Sequence, residues 1–159
     1  MNADVRTGRR LAPAVLLVLF LAATLGPVLT GFDRFPEKSI DQDYHHVPVV
    51  LAFAETLPAV DLADYDSATT PGMHLLLAVA VRMFGPSETL LQVCACGFGV
   101  LLLVAAYRYA AKVATPWTAF FCTLPLASSP YVLGNSIWVM TDNLSLALIA
   151  ISIGSAIFC

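Results

Sequence analysis

The chain has 159 residues, 58% of them hydrophobic and only 12% charged, where a soluble domain carries roughly 25% charged residues. A soluble fold of this length does not hide so much apolar surface, whereas a bilayer solvates the outside of apolar helices. A net charge of -3 gives no reason to expect nucleic acid as a partner. Cys94, Cys96, Cys122 and Cys159 all lie in apolar stretches, so they are read as packing residues rather than a disulfide framework or a metal site.

The first apolar run is Leu11 to Leu29. At about 1.5 Å per residue it is roughly 28 Å long, close to the hydrocarbon thickness of a bilayer. Arg6, Arg9 and Arg10 precede it and hold that end in the cytoplasm. A secretory signal peptide is the competing reading; the length of the run and the lack of a small-x-small cleavage site argue against it. Residues 31 to about 72 form the one hydrophilic segment of any length. It carries Asp33, Glu37, Asp41, Asp43, Glu55, Asp61, Asp64 and Asp66 against Arg34 and Lys38. Within it, Val47, Val50, Leu51, Ala54 and Leu57 recur at helical spacing, which predicts an amphipathic surface helix ended near Pro58. Thr70-Pro71-Gly72 reads as a helix start, with Thr70 as cap and Pro71 in the first turn. The run from Met73 to Phe84 is too short to cross a bilayer comfortably, which predicts a second surface helix closed by Gly85-Pro86.

Leu90 to Ala111 is long enough to cross and ends in Arg108 and Lys112. A third crossing is expected from Trp117 to about Leu133, bent at Pro125 or Pro130. A polar break through Asp142 follows, and then a last apolar run from Leu144 to Cys159. If Met73–Phe84 does not cross, Arg108 and Lys112 share the cytoplasm with the N-terminal arginines, and Asp142 returns to the outer face. If it does cross, the positive-inside tendency is violated. The first arrangement is preferred. It gives an all-α polytopic membrane protein with about four transmembrane helices, the N-terminus cytoplasmic, and an outer loop over 31–88 holding two surface helices. Residues 1–159 form a single membrane unit, and the apolar end suggests the N-terminal part of a longer protein.

The densest polar cluster is Asp41-Gln42-Asp43-Tyr44-His45-His46-Val47-Pro48. A carboxylate at the water–membrane boundary is partly desolvated and suits proton abstraction from a hydroxyl. Asp41 and Asp43 would equally suit a divalent cation, and His45 and His46 are donors suited to a phosphate. The plain alternative is a solvated acidic loop in which Asp43 caps the helix. Asp142 reads either as a helix cap or as a second carboxylate that meets the first cluster on the same face. His74 is expected to be an interfacial packing residue, and Trp117, Trp138, Tyr107 and Tyr131 are expected at span ends. No nucleotide-binding or hydrolase fingerprint is present.

Asp41-Gln42, His46-Val47-Pro48, Asp64-Tyr65-Asp66 and Thr69-Thr70-Pro71-Gly72, with the later Ser128-Ser129-Pro130 and Trp138-Val139-Met140-Thr141-Asp142, resemble motifs of GT-C type glycosyltransferases. The likeness is to the N-glycan α-1,2-glucosyltransferase family and its bacterial relatives, over the N-terminal part only. The second member of the acidic pair here is Gln42 rather than an acid. The resemblance implies inverting sugar transfer from a polyprenyl-phosphate carrier to a glycan or lipid acceptor on the outer face of a bacterial plasma membrane, among membrane lipids and with no cofactor. It implies catalytic roles for Asp41, Asp43 and Asp142, and substrate binding by His45, His46, Arg34, Lys38 and Thr70. A non-catalytic membrane protein, a truncated relative or assembly subunit, is the alternative.

Overall fold

The computed structural model describes residues 3–32, 40–63, 65, 69 and 71–158. Every regular element among them is helical: α1 (Ala3–Thr30), a wide π turn (Gln42–His46), α2 (Val47–Thr56), α3 (Gly72–Phe84), α4 (Glu88–Val113), α5 (Pro116–Ala127), α6 (Pro130–Ile137) and α7 (Asp142–Phe158). Local chemistry accounts for most boundaries. Ser87 caps α4 by accepting the Leu90 N–H at 3.3 Å, and Thr115 caps α5 by accepting from Thr118 at 3.2 Å. α3 stops at Gly85, whose φ of 87° is open to glycine at no steric cost, and Pro86 bars continuation. Thr70 lies outside the described residues. Pro71 stands at the N-cap of α3 rather than within its first turn, with no side-chain capping bond.

Two helices, α1 and α4, are long and apolar enough to cross a membrane; a third span is reached if the bent pair α6–α7 counts as one. α3 has 13 residues, about 20 Å at the α-helical rise, and falls short of the roughly 30 Å hydrocarbon core. Of the two bends expected in the third run, the one at Pro130 is found and the one at Pro125 is not. α5 runs straight through Pro125, and the chain turns at Ser128–Ser129 before Pro130 opens α6. A second break follows at Trp138–Thr141, where α6 and α7 meet at 118°.

α1 and α4 pack antiparallel. Thr24 faces Cys96, with Oγ1 and Sγ 3.1 Å apart, Phe20 lies over Gly99, and Arg9, Pro13 and Leu16 share a cavity wall with Leu103, Tyr107 and Arg108. The C-terminal end of α1 and the N-terminal end of α4 are therefore at the same end of the pair. A connection that leaves and returns at one end makes an even number of crossings or none, and α2 and α3 pack with Leu91, near the start of α4. α2 and α3 pack on each other through Val50, Phe53, Ala54, Met73, Leu77 and Val81. The main core joins α1, α4, α5 and α6 through Leu16, Phe20, Leu103, Phe120 and Val132. Tyr107, expected in an interfacial belt, is instead buried in this core.

Lipid tails are as apolar as leucine, so helices in a bilayer associate through close contact rather than through the exclusion of water. Gly99 and Gly154 supply that contact. A Cβ on Gly99 would strike Ser136 Oγ and Phe20 Cζ, and one on Gly154 would strike the Tyr109 ring. Gly97, by contrast, faces open space. Gly99→Ala and Gly154→Ala are each expected to destabilise the protein by about 1–3 kcal/mol through overpacking. Gly97→Ala is expected to be neutral. Thermal unfolding of the three variants in detergent checks the contrast.

Candidate functional site

The π turn makes the site. A regular α-helix carries 3.6 residues per turn, and the widened turn spreads one extra residue into the same rise. Here it leaves Asp41, Asp43, Tyr44 and His45 exposed and turns Gln42 and His46 inward. The notion that Asp43 caps the following helix is not met: neither the turn nor α2 has a side-chain cap.

Gln42 is fully buried and ties three elements together. Its Nε2 donates to Asp43 Oδ1 at 3.2 Å and to Glu88 Oε1 at 3.1 Å, while its Oε1 accepts the Val139 backbone N–H at 2.9 Å. An amide does all three, because it both donates and accepts. A carboxylate at this position would be acceptor-only, and it would place a third negative charge between Asp43 and Glu88. The Gln42–Val139 bond anchors the first loop to the break before α7. At that break Asp142 accepts from Asn135 Nδ2 at 3.4 Å, with the Tyr131 hydroxyl within reach of the same carboxylate.

His46 occupies the floor of the cluster. The charges of both Asp41 and Asp142 act on it, and both favour its protonated form; His45 and, above all, burial oppose this and hold its pKa below 6.5. Two carboxylates that are 101 positions apart by residue number thus both act on one buried imidazole. His46 Nδ1 is 2.9 Å from His74 Nε2, and His74 Nδ1 is 2.8 Å from the Tyr65 hydroxyl. Proton order along this chain is set jointly. When Tyr65 donates to His74, His74 donates to His46, and His46 carries its own proton on Nε2. When the order reverses, His46 Nε2 is an acceptor.

His74 is buried to 0% exposure. It is therefore more than the interfacial packing residue expected from sequence, and its partners Tyr65 and His46 come from separate segments. Its isolation among apolar neighbours was the available signal. Burial, followed by the neighbouring His46, pushes its pKa down to about 4. Arg34, Lys38 and Thr70 lie outside the described residues. Among the described residues no group of three or more His, Cys, Asp or Glu side chains is gathered in a way that would hold a metal ion.

Two pH responses follow from these surroundings. Above about 6.5 folded and unfolded chains hold the same number of protons on His74. Between 6.5 and about 4 the unfolded chain binds more, so stability falls as the pH is lowered, and the slope vanishes below about 4. His74→Gln is expected to flatten this acid-side loss when melting temperature is followed from pH 7 to pH 4. Gln42→Glu has the opposite signature. Protonated, the new side chain still donates once and accepts once, so the variant is near wild type in acid. Ionised, it is an uncompensated buried charge costing about 3–5 kcal/mol, so stability falls as the pH rises. Equal stability of Gln42→Glu across that range would contradict the bonding scheme.

No family model, curated protein or solved structure matches this chain.

Proposed function

We propose that the chain is a membrane glycosyltransferase, or the N-terminal part of one, that moves a sugar from a polyprenyl-phosphate carrier to an acceptor hydroxyl. In this reading the chain crosses a bacterial plasma membrane four times, through α1, α4, α5 with α6, and α7. The N-terminal arginines, Arg108 and Lys112 lie in the cytoplasm, and the loop of α2 and α3 lies on the outer face. The observation that supports the reading is that exposed Asp41 and half-exposed Asp142 both act electrostatically on buried His46, at the end of the bundle where the two short helices sit.

Asp41 takes the proton of the acceptor hydroxyl. The oxygen attacks the anomeric carbon as the bond to the phosphate oxygen breaks, and its electron pair leaves with the lipid phosphate. Attack from the face opposite the leaving group inverts the anomeric centre. The phosphate leaves already charged, so it requires positive or hydrogen-bonding support rather than a proton. His45 and the Nε2 of His46 supply it, with Arg34, Lys38 and Thr70. Asp43 orients the acceptor, and Asp142 closes the polar wall. Glycan or lipid hydroxyls serve as acceptors, and the reaction runs without a bound cofactor. The specific observation favouring the alternative, a non-catalytic membrane protein, is Gln42: the second position of the acidic pair is given over to holding the loop in place.

Sugar transfer in membranes carrying Asp41→Asn separates the two. A general base contributes roughly 10²–10⁴-fold, and a loss of that size with normal membrane insertion is expected. Transfer at wild-type rate removes Asp41 from the chemistry.

A further inference from the structure

The opposite end of the bundle is cationic by composition. Arg6, Arg9, Arg10, Arg108 and Lys112 lie in the N-terminal region of α1 and the last turns of α4, and Asp4 is the only acid in those stretches. Antiparallel packing brings Arg9 on α1 and Arg108 on α4 to one cavity of about 260 Å³ between the two helices. Below the arginines its wall is apolar, built from Pro13, Leu16, Leu103 and Val104. Lys112 does not line this cavity, though it shares a second one with Arg108; its Nζ lies 4.7 Å from the Phe158 ring centroid and 5.6 Å from that of Tyr109, so the aromatic faces already balance its charge. Among the described residues no aromatic ring balances Arg9 or Arg108 in this way. Two like charges at the mouth of an apolar slot repel one another unless an anion lies between them.

We infer that the slot between α1 and α4 is a binding site for an anionic phospholipid, with the headgroup phosphate held between Arg9 and Arg108 and an acyl chain laid along Leu16 and Leu103. Guanidinium groups present paired N–H donors that match phosphate oxygens, and basic clefts between membrane helices suit acidic headgroups. Free phosphate would meet the two charges but leave the leucine-lined wall uncovered. A zwitterionic lipid would cover the wall but bring its own ammonium to the arginines. An anionic lipid meets both, and this selectivity is independent of any chemistry at the far end of the bundle.

The protein in neutral detergent is titrated with short-chain phosphatidylglycerol, short-chain phosphatidylcholine and inorganic phosphate, and binding is read by native mass spectrometry. Phosphatidylglycerol is expected to bind in preference to both others. Arg9→Gln combined with Arg108→Gln is expected to weaken it roughly thirtyfold, from about 1 kcal/mol for each cation. Arg10→Gln, whose exposed side chain does not line the slot, is expected to change it little. Equal binding of phosphatidylcholine, competition by inorganic phosphate at matched concentration, or an equal loss in Arg10→Gln would each overturn the site. Should the double variant not fold, a photoactivatable phosphatidylglycerol on the unaltered protein decides the matter. Labelling within 9–17 and 103–108 supports the slot, and labelling confined elsewhere overturns it.

Discussion

Close antiparallel contact between α1 and α4 sets the order of everything else in the molecule. Thr24 against Cys96, Phe20 over Gly99 and Arg9 beside Arg108 form one continuous register. That register requires the chain between the two helices to depart and return at a single end. Within that loop, α2 and α3 pack against Leu91 near the start of α4 and Leu144 near the start of α7. Small residues make the contact possible, since apolar surface alone does not draw helices together in lipid. The same register sorts charge, with Arg9, Arg10 and Arg108 at one end and Asp41, Asp43 and Glu88 at the other.

At the acidic end, three segments distant in sequence are drawn together by buried hydrogen bonds that are costly to lose. Gln42 connects the π turn to α4 through Glu88 and to the α6–α7 break through Val139. His46, His74 and Tyr65 connect the turn to α3 and to the segment before it. A second break, between α6 and α7, leaves Asp142 beside this network rather than within a continuous span. Buried polar groups hold the geometry, and the exposed carboxylates stand on its rim.

The two ends of the bundle offer contrasting chemistry. One presents carboxylates and imidazoles able to exchange protons near the aqueous boundary. The other presents guanidinium groups, which stay charged, above an apolar slot. The buried pair His46–His74 resists protonation because burial outweighs the carboxylate charges acting on His46, and at His74 burial is joined by the neighbouring His46. Their protonation in acid bears on the packing of α3 against the π turn, away from the arginine end.

The sequence by itself determined that the chain is helical and apolar. Run length against bilayer thickness placed α1 and α4 within a few residues and marked Met73–Phe84 as too short to span. Composition alone separated the acidic loop from the basic ends. It did not decide between Pro125 and Pro130 as the bend, because proline is tolerated inside a helix at Pro125; the turn comes at Ser128–Ser129, directly before Pro130. Nor did it reveal Gln42 as a tie or His74 as a partner of His46. A glutamine between two aspartates looks solvated, and a histidine in an apolar run looks like packing. Their partners, Val139, Glu88 and Tyr65, come from distant or irregular segments, and hydrogen bonds between such segments have no periodicity to read. Only the folded register of α1 on α4 brings them within bonding distance, because it alone decides which ends of the helices meet.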